Sequence, residues 1–174
     1  MSTIEIERDC KDSNFKKNFN IKNMKKEKTF KLKDLKGKSS IYAPDLVFYN
    51  ENRIVFIEQS SNYTKKIHIG EFTQFIDCAL NNRVNENIPG CEKESTKFSF
   101  FIILTPADDS KSKAEVEANR LRFYWDGIFN KISNEKIETI GVCDCINKND
   151  FKEKELNISY EDLVSKSVKV NIDK

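Results

Sequence analysis

The sequence predicts an α/β fold: a mixed β-sheet begun by an antiparallel hairpin, continued by parallel crossover strands and flanked by helices. Three observations predict it. The apolar runs "DLVFYN" and "RIVFIEQS" are separated only by Glu51 and Asn52, and Asn50-Glu51-Asn52 is a good tight-turn tripeptide, so the runs read as a hairpin. A later run, "KFSFFIILTP", is apolar without alternation, as a strand buried on both faces must be. In the second half of the chain helical and strand patterns alternate, which calls for crossover connections between parallel strands.

Taken in order, residues 1–28 are polar with weak helical spacing around Phe15, Phe19 and Met24, and are expected as a polar, basic N-terminal segment, helical or disordered. The α/β domain is expected over 29–174. "TFKLKDL" alternates apolar and charged residues, which predicts a short half-exposed strand near 29–33. After the hairpin, "IGEFTQFIDCAL" puts Phe72, Phe75, Ile76 and Ala79 on one helical stripe, predicting a helix over 69–80. Pro106 ends the buried strand. "AEVEANRLRFYWDGIFNKI" is a long amphipathic helix, with Tyr124 and the single Trp, Trp125, on a core or docking face. "ETIGVCDCI" is the next strand, and Ser159 caps a short helix over "SYEDLVSKS".

At 174 residues with 13 Phe, the chain can bury a sizeable core in one domain. The five cysteines are odd in number and form no C-x-x-C pair, which argues against a disulfide framework and a structural zinc site. No signal peptide and no apolar run near the ~20 residues of a membrane span is present. The expectation is an intracellular protein, cytoplasmic or associated with the nucleoid or nucleus, with no membrane partner. The net charge of +2 conceals an asymmetry: between Lys16 and Lys38 there are ten Lys against Glu27 and Asp34. Such a segment suits a phosphate backbone, with Lys25, Lys26, Lys28, Lys31 and Lys33 as candidate nucleic-acid contacts, although a solvated lysine-rich face has the same composition.

Each hairpin strand carries an acid where a core strand should be apolar. Asp45 opens the first, after Pro44, and Glu58 ends the apolar part of the second. Glu58 and Ser60 share a face with Ile54 and Phe56. Closing the hairpin at 50–52 brings Asp45 and Glu58 together at its open end, where two bare carboxylates would repel. A hard divalent cation removes that repulsion, and its chemistry there would be metal-assisted phosphodiester hydrolysis.

Pro44-Asp45, twelve residues, then Glu58-Gln59-Ser60 resembles the motif of the PD-(D/E)xK nuclease superfamily, which includes restriction endonucleases, Holliday-junction resolvases and viral cap-snatching endonucleases. The resemblance implies a restriction-endonuclease-like fold. It also implies a Mg²⁺ or Mn²⁺ site built from Asp45, Glu58 and the main-chain carbonyl of Gln59; the expected activity is that of an endonuclease on nucleic acid, DNA ahead of RNA. Ser60 stands where the family has a lysine that orients water and neutralises developing charge. Lys65 and Lys66, in one loop, are the expected substitutes; Glu71 and Gln74 on the next helix should face back to the sheet. His68 is open to a role as ligand or base, or to a surface or capping role. The rival expectation is a nuclease fold that has lost catalysis and binds nucleic acid or assembles with partners, as a homodimer or as a subunit of a larger complex.

Overall fold

The computed structural model describes residues 13–27, 30, 32–33, 40–60, 65–81, 88, 95–105, 114–126, 135–146 and 148–170. A short helix α1 (13–18) leads into strands β1 (Phe19–Ile21) and β2 (Lys25–Glu27). Strands β3 (Leu32–Lys33), β4 (Ser40–Tyr42), β5 (Leu46–Tyr49) and β6 (Arg53–Ser60) precede helix α2 (Lys65–Leu80). Then come β7 (Lys97–Leu104), α3 (Ala114–Tyr124), β8 (Ile137–Cys143), α4 (Lys148–Lys152), β9 (Leu156–Ile158), α5 (Tyr160–Lys166) and β10 (Val168–Lys169).

Among the described residues the main sheet has six strands in the order β10-β8-β7-β6-β5-β2. The expected hairpin is β5 and β6, antiparallel, with Leu46 opposite Ile57 and Tyr49 opposite Ile54. Its turn is closed by Asn50 N–H to the Arg53 carbonyl at 3.0 Å, and the Asn50 side chain accepts from Asn52 N–H. Strands β6, β7 and β8 run parallel, as the alternating helices require, while β2 and β10 add antiparallel edges. The mixed α/β sheet is therefore as expected.

Period-two alternation divides the apolar residues between two cores. Ile54 and Phe56 of β6, with Phe98, Phe100 and Ile102 of β7, face Phe72, Phe75 and Ile76 of α2 and Ala118 and Leu121 of α3. Val55 and Ile57, with Phe101 and Ile103, face the other way, onto Phe15, Phe19, Phe151 and Leu163. Burial on both faces explains why these strands read as unbroken apolar runs. None of the described helices is long and apolar enough to cross a membrane.

In the N-terminal segment, residues 13–18 are helical and the strands that follow pack onto the domain. Residues 13–27 are not an appendage: Phe15, Phe19 and Ile21 are buried in the second core, and β2 is the outer strand beside β5. The apolar spacing was too sparse to predict this, because three large residues suffice to anchor a short segment on a ready-made sheet face. Helix α2 also starts four residues earlier than the apolar stripe suggested, at Lys65 rather than Ile69. Lys65 and Lys66 are thus in its first turn and not in a loop.

Candidate metal and catalytic site

The hairpin register, continued one step past Leu46 and Ile57, sets Asp45 opposite Glu58. The two are cross-linked through the main chain. Asp45 N–H donates to Glu58 Oε2 at 3.2 Å, and Gln59 N–H donates to Asp45 Oδ2 at 2.9 Å. In an extended strand a residue's N–H and C=O leave on the same edge, so the Gln59 carbonyl also lies on the Asp45 side. The Gln59 side chain turns the other way along the strand, to Thr105 Oγ1 at 2.6 Å. The three residues the sequence singled out as ligands are thus brought to one place.

Two further residues join them. Tyr42, delivered by β4, donates from its hydroxyl to Glu58 Oε1 at 2.6 Å in a buried contact. Glu71, nearly two turns into α2, brings a third carboxyl whose Oε2 is buried and finds no hydrogen-bond partner among the described residues. Burial and then the neighbouring Glu71 and Asp45 charges push the Glu58 carboxyl up to about 9, against the opposing pull of the Tyr42 and Asp45 hydrogen bonds. Burial and Asp45 push Glu71 up to about 7. Tyr42 is raised by its own burial and by Glu58. An orphaned carboxylate oxygen beside two further acids is electrostatically incomplete: it requires protons or a cation.

These oxygens fit a hard divalent ion. The donor set is carboxylate plus carbonyl, without thiol or imidazole, which suits Mg²⁺ or Mn²⁺. Each carboxylate oxygen that already accepts one hydrogen bond retains a second lone pair. Among the described residues, however, no three His, Cys, Asp or Glu side chains are already gathered as closely as metal ligands. Glu71 therefore has to close in by a side-chain rotation if it is to ligate.

Among the described residues, the lysine found at the acids is Lys16. Its Nζ lies 2.9 Å from Asp45 Oδ1, reaching from α1, and about half of its side chain is exposed. Chain position hid it, since it precedes Asp45 by 29 residues in a segment without strong patterning. The side chains of Lys65 and Lys66 lie outside the described residues. Of the expected nucleic-acid contacts, Lys25 is exposed on β2, whereas Lys26 turns inward and donates to the carbonyls of Lys16 at 2.6 Å and Phe19 at 2.8 Å. Lys28, Lys31 and the Lys33 side chain are outside the described residues.

Position 60 holds a second arrangement. Ser60 Oγ is 2.7 Å from His68 Nε2, and His68 Nδ1 is 3.3 Å from Glu117 Oε2 of α3. His68 and Glu117 are buried, and Arg120 pairs with the second Glu117 oxygen. His68 is thus neither a surface residue nor in contact with the acids. Its burial was unreadable because its partner Glu117 lies 49 residues away. Comparisons with protein-family models, curated proteins and solved structures each returned no match.

Proposed function

We propose that the chain is a metal-dependent endonuclease of PD-(D/E)xK type, with a restriction-endonuclease-like fold, hydrolysing nucleic acid and DNA ahead of RNA. The observation that carries this reading is the convergence of Asp45, Glu58 and the orphaned oxygen of Glu71 at the open end of one hairpin. An antiparallel hairpin followed by parallel strands supports the fold assignment. Asp45, Glu58 and the Gln59 carbonyl would hold Mg²⁺ or Mn²⁺, with Glu71 joining them by a side-chain rotation. The cation supplies Lewis acidity, polarising the scissile phosphate and making an attacking water more acidic.

The remaining work falls to the chain's own groups. Tyr42 and the Asp45 amide fix the Glu58 carboxylate, so its orientation is set before any ligand arrives. Lys16 brings to the acids the positive charge that the family's lysine would carry at position 60. Exposed Lys17, Lys22 and Lys25, on the same segment, give phosphates a basic approach. Lys65 and Lys66, in the first turn of the helix that carries Glu71, are the alternative source of that charge.

Calorimetric titration of Mn²⁺ into the wild type and into Asp45→Ala, beside cleavage of supercoiled plasmid and of single-stranded RNA, tests the reading. The expected result is metal binding that the variant loses, with nicking of plasmid. Lys16→Ala should lower the cutting rate more than Lys65→Ala with Lys66→Ala if Lys16 supplies the charge. Absence of both metal binding and cleavage would overturn the proposal. Metal and nucleic-acid binding without cleavage would instead favour the rival module, for which Ser60 at the lysine position is the specific observation.

A further inference from the structure

Two sulfur atoms meet where β8 leaves the sheet. Among the described residues the last partners of β7 and β8 are Ile103 and Cys143, and Asp144, Cys145 and Ile146 follow outside any strand. Residues two apart along a strand direction point to one face, so Cys143 and Cys145 set out on the same side. Cys143 and Ile146 are buried in the second core, while Cys145 stays at the surface. Beyond the ladder the chain is free to bend, and Cys145 Sγ comes within 3.3 Å of Cys143 Sγ. The chain around this contact is anchored on both sides. The Cys145 thiol donates to the Lys166 carbonyl at the end of α5, at 3.2 Å, and Asp144 Oδ2 accepts from Ala114 N–H at the start of α3, at 2.9 Å.

A disulfide places its sulfurs about 2.0 Å apart, so this pair has to close by only about 1.3 Å. The two thiols differ in what can reach them. Cys145 is exposed, whereas Cys143 is buried, and burial pushes its thiol up to about 12. A reagent in solution therefore meets Cys145 first, and Cys143 keeps its proton until a reactive sulfur is held against it. An accessible thiol in contact with a second, sheltered one is the arrangement that exchange through a mixed disulfide uses. Contact also offsets the poor thiolate content of Cys143, because the second step is intramolecular.

We propose that Cys143 and Cys145 form a dithiol–disulfide exchange site whose oxidant is a low-molecular-weight disulfide. The inference does not rest on the nuclease reading above. In the first step Cys145 gives its proton to solvent and its Sγ bonds to one sulfur of the oxidant; the oxidant's sulfur–sulfur bond breaks, and the departing thiolate takes a proton. In the second, Cys143 gives its proton to solvent and its Sγ bonds to Cys145 Sγ. The mixed disulfide breaks, and the second thiolate leaves and is protonated. Two thiols of the chain are oxidised and one disulfide is reduced to two thiols; excess thiol drives the reverse. The ring so closed spans Asp144 alone, which makes it a local, reversible bond and not a framework disulfide.

The test uses the full chain, reduced and then incubated under native conditions with oxidised glutathione over a range of ratios to reduced glutathione. After acid quenching it is alkylated, digested with trypsin and weighed by mass spectrometry. Cutting after Lys136 and Lys148 yields the peptide 137–148, which holds Cys143, Cys145 and no other cysteine. The expected peptide is unalkylated and lighter by two hydrogens than the reduced form, and dithiothreitol restores the doubly alkylated one. Cys143→Ser should instead retain glutathione on Cys145, because nothing resolves the mixed disulfide. Cys145→Ser should take up no glutathione on the buried Cys143. A wild-type peptide that stays doubly alkylated at every ratio, or that carries glutathione on Cys145 without closing, overturns the proposal. Glutathione on Cys143 in folded Cys145→Ser overturns it as well. The wild-type measurement needs no variant, so the test stands even if Cys143→Ser does not fold.

Discussion

Glu58 is gripped by Tyr42 and the Asp45 amide, yet its burial and its acidic neighbours drive the carboxyl up to about 9. Glu71 goes up to about 7 for the same kind of reason. Unfolded, both would titrate near 4.5. Between that value and about 7 the folded, metal-free protein keeps two protons that the unfolded chain has lost; from there to about 9 it keeps the one on Glu58. Stability must therefore fall as pH rises through this window, since the unfolded state binds fewer protons. We expect the melting temperature of the metal-free protein to drop from about pH 5 to about pH 8. Glu58→Gln, which mimics the protonated acid, should flatten the upper part of that decline. A decline of equal steepness in the variant would show that Glu58 is already ionised and stably partnered. Asp45 and Glu58 were legible in the sequence because acids on apolar strands stand out against a period-two pattern. Tyr42 was not, because it lies outside the hairpin and reaches Glu58 only across the fold.

Helix α1 and strand β2 show how a lysine-rich segment can be misread as a uniform face. On β2, neighbours alternate sides, so Lys25 is exposed while Lys26 is directed back over the Phe48 ring, 5.6 Å from its centroid, and onto the carbonyls that end α1. Burial lowers the pKa of Lys26, so part of its solvation is lost and the carbonyls replace it. Since α1 carries Lys16 to Asp45, Lys26 holds one side of the site in place. Lys26→Met should cost roughly 1.5–3 kcal/mol, the range for hydrogen bonds to a charged group, whereas Lys25→Gln should cost almost nothing; urea denaturation separates them. Equal midpoints for the two would mean that α1 does not depend on this cap. On the opposite edge, a Cβ on Gly141 of β8 would come 2.8 Å from Ser167 Cβ and 3.0 Å from Phe101. Gly141→Ala should therefore destabilise by about 1–3 kcal/mol by forcing β10 away. Elements with strong apolar periodicity were predictable from the sequence. The edge strands β2 and β10 were not, because a two- or three-residue strand is specified by the sheet it joins.

Across the whole molecule, the site draws on five segments that are remote in sequence or layer: Lys16 from α1, Tyr42 from β4, Asp45 before β5, Glu58 near the end of β6 and Glu71 from α2. α1 belongs to the core on one face of the sheet and α2 to the core on the other. A cation held by these acids would thus tie the hairpin to a helix of the first core, and it would relieve the repulsion that raises Glu58 and Glu71. Both effects favour the folded state only, so Mn²⁺ or Mg²⁺ should raise the melting temperature in a concentration-dependent way. The gain at one hundred times the dissociation constant would be about 2.7 kcal/mol. The rise should be larger at pH 8 than at pH 5, because protons compete for the same oxygens. Asp45→Ala should abolish it. The proposed nucleic-acid binding offers an independent test of the basic segment: the logarithm of any affinity should fall with the logarithm of salt at about −0.9 per phosphate neutralised on duplex DNA. Lys17→Gln with Lys22→Gln and Lys25→Gln should make that slope shallower by up to about three contacts without moving the metal response. If the slope is unchanged while affinity falls, the lysines act through the fold and not through phosphates. If metal stabilisation is lost as well, the basic segment and the acid cluster are one cooperative unit, with Lys16 as the link between them.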